Sequence, residues 1–164
     1  MSRYNKIRKM DISNGPGVRV SIFLQGCDFH CPGCFNAETW DFGGGKEFTA
    51  ETLQTLLKLA QSKTIAGLSI LGGEPLHPGN LETSLAIVKA FKDAYPEKTI
   101  WMWTGYLYEN LTNKQREVIS HLDVLVDGQF KQELKNLSLP YCGSSNQRVI
   151  DIRKSLANGK LCLK

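Results

Sequence analysis

The chain of 164 residues lacks several features that define common protein classes. No apolar run approaches the roughly 18 residues needed to span a bilayer, so we expect no membrane contact. The basic N-terminus has no apolar stretch behind it and is not a secretory signal, so we expect a cytoplasmic protein. Charge of one sign never accumulates, because 20 Lys and Arg are interspersed with 16 Asp and Glu. Without a charged block, we predict no nucleic-acid partner.

Cysteine is scarce and odd in number, with five in the whole chain. Three of them, Cys27, Cys31 and Cys34, stand in the stretch GCDFHCPGCFN with C-x3-C-x2-C spacing, and no fourth lies nearby. An odd number leaves one thiol over in any full pairing, and thiols stay reduced in the cytosol. The pattern therefore argues against disulfides, and we predict Cys142 and Cys162 to be free thiols.

Two metal-binding interpretations of the three cysteines remain open. A zinc ion takes four ligands, and His30 would have to be the fourth, although its adjacency to Cys31 makes joint ligation awkward. An iron–sulfur cluster on three thiolates would leave one iron to be chelated by amino and carboxylate groups of a small molecule. Pro32 and Gly33 keep the loop tight and let a ligand approach its main chain.

Short apolar stretches alternate with helical patterns along the rest of the chain. Strands are predicted at 18–24, 67–71, 99–103, 123–127 and 148–152, with helices following Phe48, Asn80 and Thr112. Buried strands joined by helices predict a parallel sheet with right-handed crossovers. At roughly 30 residues per βα unit, we expect an α/β fold, a partial, open (βα) barrel with a mainly parallel curved sheet of about five units. Residues 1–164 are predicted to form a single domain.

Each of the first four predicted strands ends in a polar or glycine-bearing turn. These turns are 26–27, 72–75, 104–105 and 127–128. Ligands of parallel α/β folds bind at the carboxyl ends of the strands. Four such turns, one of which begins the cysteine stretch, predict a single site.

Several segments, taken in order, resemble the radical S-adenosylmethionine superfamily, and within it the activating proteins of anaerobic ribonucleoside-triphosphate reductases. They extend from about Asn14 to Arg148 and read NGPGVRVSIFLQGC, CPGCFN, LSILGGEPLHP, WMWTGY, VLVDGQF and GSSNQR. The resemblance implies a single radical S-adenosylmethionine domain. It also implies a site at the strand ends that holds a [4Fe–4S] cluster and S-adenosylmethionine.

By this resemblance, individual residues acquire expected roles. Cys27, Cys31 and Cys34 are the expected cluster ligands. Gly72, Gly73 and Glu74 are expected to receive the methionine amino group of S-adenosylmethionine, since carbonyls and a carboxylate suit an ammonium group. Many superfamily members place an aromatic residue directly before the third cysteine, near the adenine. Here Gly33 stands in that position, and Phe35 follows Cys34. We expect Gly33, Cys34 and Phe35 to contact the cofactor.

Thr104 and Asp127, at two further strand ends, are predicted to contact the nucleoside moiety. The implied activity is that of an oxidoreductase: reductive cleavage of S-adenosylmethionine to methionine and a 5′-deoxyadenosyl radical. That radical is expected to form a glycyl radical on an anaerobic ribonucleoside-triphosphate reductase, with a flavodoxin-type protein as reductant. The alternatives are an activating enzyme of another glycyl-radical enzyme, such as pyruvate formate-lyase, and a zinc-binding module without chemistry.

Overall fold

The computed structural model describes residues 2–164, which form a seven-stranded sheet with four α-helices. The strands are β1 (Arg3–Asp11), β2 (Val18–Leu24), β3 (Lys46–Glu47), β4 (Ile65–Gly72), β5 (Thr99–Trp103), β6 (Val124–Asp127) and β7 (Arg148–Asp151). The helices are α1 (Ala50–Leu59), α2 (Leu81–Ala94), α3 (Asn113–Ile119) and α4 (Ile152–Asn158). Three short 3-10 helices lie at Ala37–Thr39, Tyr108–Asn110 and Gln132–Leu134. No helix within residues 2–164 is long and apolar enough to cross a membrane.

The sheet is open and mixed, with strand order β3-β1-β2-β4-β5-β6-β7. Its centre, β2-β4-β5-β6, is parallel, whereas β1 pairs antiparallel with β2 and β3, and β7 pairs antiparallel with β6. The predicted α/β class is confirmed, but a mainly parallel partial barrel of about five units is not. The connections that join β1 to β2 and β6 to β7 contain no α-helix, and an antiparallel pair needs no helical crossover.

The four helices contribute to one hydrophobic core on one face of the sheet. Alternate residues of each central strand point to that face, and Leu68, Ile70 and Ile100 are buried there. They share a cluster with Phe91 of α2 and Val118 of α3. This packing holds the central strands against the helices, and the helices do not cover the opposite face of the sheet.

The opposite face of the sheet is partly covered by the connection between β6 and β7. Trp101 is buried there with Val126, and the ring of Tyr141 meets Trp101 edge-on at a centroid distance of 4.8 Å. The indole N–H of Trp103 donates a hydrogen bond of 2.8 Å to the carbonyl of Tyr141. The connection is thus held against the strands by an aromatic cluster and a hydrogen bond.

Candidate functional site

A cavity of about 610 Å³ lies on the face of the sheet opposite the helices. Its walls include Cys27, Gly73, Gly105 and Gln129, which follow β2, β4, β5 and β6 respectively. The structure therefore brings the four predicted turns to one place. Of the predicted site residues, those lining the cavity are Cys27, Cys31, Cys34, Phe35, Gly72, Gly73, Glu74 and Thr104.

The loop that carries the three cysteines is closed at its base and tight at its tip. The backbone N–H of Cys27 donates to the carbonyl of Trp40 at 3.1 Å, which brings the two ends of the loop together. At the tip, the N–H of Cys34 donates to the carbonyl of Cys31 at 3.0 Å. Gly33 between them has φ +74°, a conformation that L side chains rarely adopt. Its place in the turn gives Gly33 a structural reason to be glycine.

The cysteine thiols are placed where a positively charged metal centre would stabilise their ionised forms. Burial raises the pKa of Cys27 and of Cys31, and the neighbouring Cys34 raises that of Cys31 further. Metal ligation requires thiolates, so a bound cluster would offset this electrostatic cost. The backbone N–H of Asn36 already points to the sulfur of Cys34 at 3.4 Å.

The arrangement of the three cysteines and of His30 bears on which metal centre the loop could hold. Within residues 2–164, no three His, Cys, Asp or Glu side chains are grouped around the position of a single ion. In a four-iron cluster each thiolate binds a different iron, so three ligands do not need to converge on one point. The ring of His30, the fourth ligand in the zinc interpretation, stacks on Trp40 with centroids 4.5 Å apart. Once deprotonated, three cysteine side chains that line a cavity provide the soft ligands that an iron–sulfur cluster takes.

Glu74 is a buried carboxyl group that joins two strand ends. It is 2% exposed and accepts hydrogen bonds at its two oxygens from the N–H groups of Leu76 (2.8 Å) and Gly105 (2.6 Å) and from the hydroxyl of Thr104 (2.7 Å). Each carboxylate oxygen has two acceptor positions, and Oε1 uses only one of them for Gly105. Glu74 therefore retains an acceptor position beside the cavity.

The electrostatic state of Glu74 follows from this burial. Desolvation raises the pKa of Glu74 to about 7, although the hydrogen bonds from Gly105, Thr104 and Leu76 act in the opposite direction. A carboxyl group with this pKa is partly neutral near pH 7. A ligand cation placed beside it would favour the ionised form and would gain an ion pair.

Gly72 and Gly73 allow the ends of β2 and β4 to touch. A Cβ atom at Gly73 would lie 2.5 Å from the carbonyl oxygen of Gly26, and one at Gly72 would lie 2.7 Å from the backbone of Leu24. The N–H of Glu74 donates to that same Gly26 carbonyl at 2.8 Å. Both glycines line the cavity, but the close approach they permit is to the protein backbone itself.

Two of the predicted cofactor contacts are engaged elsewhere in the protein. The hydroxyl of Thr104 lines the cavity but is already bonded to Glu74. The prediction for Asp127 finds no support: its side chain is fully buried, pairs with the guanidinium of Arg148 at 2.5 Å and accepts the N–H of Tyr108 at 2.8 Å. Asp127 is outside the cavity lining because β6 turns its side chain toward these partners.

Sequence reasoning missed the wall formed by residues 129–147, which includes Phe130, Leu137 and Tyr141. The polar segment GSSNQR supplied a signal, because its side chains fasten this wall. Gln147 donates to the carbonyl of Gly128 at 3.0 Å and accepts the N–H of Gly143 at 2.8 Å. The function of this segment in the described fold is structural.

Comparison with known proteins adds independent information on this site. The family model described as "4Fe-4S single cluster domain" matches residues 13–150. The anaerobic ribonucleoside-triphosphate reductase-activating protein of Salmonella typhi is 42% identical over 153 residues, which cover 92% of this chain and 99% of that protein. The proteins of the same name from Escherichia coli strain K12 and Enterobacteria phage T4 are 41% and 40% identical over 152 and 146 residues. The match to the Escherichia coli protein covers 92% of this chain and 99% of that protein. The match to the phage protein covers 89% of this chain and 92% of that protein.

The chain belongs to this family of activating proteins. The resemblance inferred from the sequence segments is thereby confirmed. The region matched by the iron–sulfur family model contains the cysteine loop, the Glu74 turn and the wall at 129–147. The whole of β1 and the whole of α4 lie outside that region. In this member of the family, all the cavity residues discussed above fall within the matched region.

Proposed function

We propose that the protein activates an anaerobic ribonucleoside-triphosphate reductase by generating a glycyl radical on it. One observation carries the proposal: the three cysteines of one loop and a buried carboxyl group line the same cavity, at the strand ends of a chain that belongs to the activating-protein family. A [4Fe–4S] cluster supplies one electron to S-adenosylmethionine, which yields methionine and a 5′-deoxyadenosyl radical that takes a hydrogen atom from a glycine of the reductase. The protein is on this proposal a radical S-adenosylmethionine oxidoreductase.

Within this proposal, Cys27, Cys31 and Cys34 hold the cluster. Their loop leaves no fourth cysteine at its tip, so one iron stays free for the cofactor. The turn at Gly33 and the hydrogen bond from Asn36 to Cys34 keep the loop in shape. All five cysteines are free of disulfides in the described residues, which suits a reducing cytoplasmic location.

S-adenosylmethionine is bound by the turn that follows β4, which lines the same cavity as the cysteines. Glu74 uses its remaining acceptor position for the methionine ammonium group, and a backbone carbonyl at Gly72 or Gly73 adds a second acceptor. Phe35, which lines the cavity and packs against Phe130 at 5.0 Å, gives the nucleoside an apolar surface. Thr104 positions Glu74 through its hydroxyl.

The proposed substrate is a protein, as the name shared by the relatives implies. A shielded radical requires that water be excluded, so the partner's glycine-bearing loop must complete the walls. A flavodoxin-type protein is the proposed source of the electron. In the alternative proposal, the protein that docks is another glycyl-radical enzyme, of the pyruvate formate-lyase type, and the chemistry in the cavity is the same.

The test is electron paramagnetic resonance of the anaerobically reconstituted protein with S-adenosylmethionine, a reductant and the anaerobic reductase. A glycyl radical doublet on the reductase is expected, together with about four iron and four sulfide per chain. If the doublet formed only on pyruvate formate-lyase, that enzyme and not the anaerobic reductase would be the target. A single zinc ion per chain and no cleavage of S-adenosylmethionine would overturn the enzymatic proposal.

A further inference from the structure

Gln129 lies where the turn after β6 meets the cysteine loop. Its side-chain oxygen Oε1 is 4.0 Å from Sγ of Cys31, and both residues line the cavity. In this geometry the Cys31 thiol points to the amide oxygen. The contact joins two segments that are 98 residues apart in the chain, so tertiary structure alone creates it.

The backbone around Gln129 is fixed independently of this contact. The amide of Asn146 donates to the carbonyl of Gln129 at 2.7 Å, and Gln147 donates to the carbonyl of Gly128 at 3.0 Å. The next residue, Phe130, packs on Phe35 of the cysteine loop with ring centroids 5.0 Å apart. The main chain at Gln129 is therefore held beside Cys31 on a supported turn.

The chemistry of this pair must change when Cys31 binds iron. As an iron ligand Cys31 is a thiolate with no proton to donate, so an amide oxygen facing it would be repelled. The terminal amide of glutamine carries an oxygen acceptor and an N–H₂ donor on the same carbon. A half-turn of this group presents N–H to the sulfur without any movement of the backbone.

We propose that Gln129 is a positioning residue that donates an amide N–H to the Cys31 thiolate of the bound cluster and raises the cluster's reduction potential. The inference rests on the proposed function, since it needs the cluster. One-electron reduction adds one negative charge to the cluster and its sulfur ligands. A hydrogen bond to a ligand sulfur stabilises that charge more in the reduced state than in the oxidised state. Without the bond, reduction is less favourable.

The experiment is a redox titration of the full-length, reconstituted protein, in which the reduced cluster is quantified by electron paramagnetic resonance. In Gln129→Leu the ratio of reduced to oxidised cluster at a fixed potential is expected to fall about tenfold, which corresponds to about 59 mV for a one-electron couple. The control is Gln54→Leu, the same substitution at an exposed position of α1. Gln54 is not among the residues that line the cavity. This control is expected to titrate like the wild type.

A second variant covers the case in which Gln129→Leu does not retain a cluster. Gln129→Glu keeps the shape of the side chain but replaces the N–H donor with a negative charge, so its potential is expected to fall further than that of Gln129→Leu. A wild-type potential in the variants that carry a full cluster would overturn the inference and leave the proposed function intact. A wild-type protein that binds no cluster would overturn both.

Discussion

Cys142 lines the same cavity as Cys27, Cys31 and Cys34, yet it belongs to a different segment and has different partners. Its thiol faces the carbonyl of Gln147 at 3.8 Å, within the wall that follows β6. Proximity to the cavity therefore does not by itself make a cysteine a cluster ligand. This difference makes Cys142 a sharp control for the ligand assignment.

Replacing Cys27, Cys31 or Cys34 by Ala is expected to abolish nearly all of the cluster's visible absorbance, because each thiolate binds its own iron. Cys142→Ala and Cys162→Ala are expected to keep it. Absorbance and iron content after anaerobic reconstitution measure both. Loss of the cluster in the Cys142 variant with retention in the Cys31 variant would show that the ligand set is wrong.

Glu74 makes the stability of the cofactor-free protein depend on pH. Its pKa is about 7 in the folded protein, because of burial, against an ordinary value of 4.5. Between these values the folded state binds a proton that the unfolded chain has released. The free energy of unfolding therefore falls as the pH rises from about 4.5 to 7, and the loss amounts to roughly 3 kcal/mol for this shift.

Glu74→Gln is expected to flatten that slope, since glutamine does not titrate. Urea unfolding at several pH values, compared with wild type, isolates the contribution of Glu74 because contributions of other groups cancel in the difference. Glu117→Gln, a change at an exposed position, is the control. Identical pH slopes in wild type and Glu74→Gln would refute the assignment of a raised pKa to Glu74.

At the scale of elements, the junction between the ends of β2 and β4 shapes the cavity floor. The N–H of Gly73 donates to the carbonyl of Leu24 at 2.9 Å, and the N–H of Glu74 donates to that of Gly26 at 2.8 Å. The amide of Asn80, the residue before α2, donates to the carbonyl of Glu74 at 3.0 Å. The Glu74 turn is thereby fixed from two sides before any cofactor binds.

Gly73→Ala is expected to destabilise the protein by about 1–3 kcal/mol, because the added methyl group would overlap the Gly26 carbonyl. Gly43→Ala is the matched control. A Cβ atom there lies 3.4 Å from Asp41 in ordinary contact, and the lower entropy of the unfolded chain favours the variant slightly. Chemical denaturation compares the two, and equal stability would show that the junction tolerates a side chain.

The pair Asp127 and Arg148 joins β6 to β7 at the edge of the sheet. The Asp127 carboxylate raises the pKa of the Arg148 guanidinium, which keeps the ion pair charged. Asp127→Asn is expected to cost about 1.5–3 kcal/mol of unfolding free energy, because the buried side chain loses its charge-assisted hydrogen bonds with the partly exposed Arg148. Lys89→Ala, in an exposed pair with Glu117, is expected to change stability by about 0.5 kcal/mol or less.

Urea midpoints of the two variants, together with calorimetric S-adenosylmethionine affinity, separate a structural role from a binding role. If Asp127→Asn kept full stability but bound S-adenosylmethionine more weakly, the result would support the prediction that Asp127 contacts the nucleoside moiety. Reduced stability with an intact affinity in the folded fraction is the expected result.

At the scale of the whole molecule, the cavity is open and the surface is mildly basic, with net charge +4 and no block of like charge. We expect slow cleavage of S-adenosylmethionine by the protein and reductant alone, and faster cleavage when the anaerobic reductase closes the site. Dispersed charges predict that raising the salt concentration weakens this acceleration only modestly. Fast cleavage without any protein partner would identify a small-molecule radical enzyme instead.

Much of this organisation is predictable from local sequence patterns. The central strands and the helices that follow them, including the one that begins after Thr112, depend on neighbouring residues, and the structure confirms them. The convergence of the strand-end turns follows from parallel pairing alone. β1 was missed because RYNKIRKMD is mostly polar, with no clear alternation of apolar residues. α4 was missed because its 7 residues are too few for a periodic pattern and, unlike the equally short α3, it is not preceded by a Thr-x-x-Gln capping sequence.

The sequence alone determined the cysteine spacing, the Glu74 turn and membership of the activating-protein family, since these depend on residues close together in the chain or on their order. Only the tertiary structure decided that Asp127 pairs with Arg148 and that Gln129 faces Cys31. It also decided that Gly73 is packed against the backbone of Gly26. The physical reason is that burial, pKa and hydrogen-bond partners depend on which distant segments meet, and local sequence patterns do not specify those contacts.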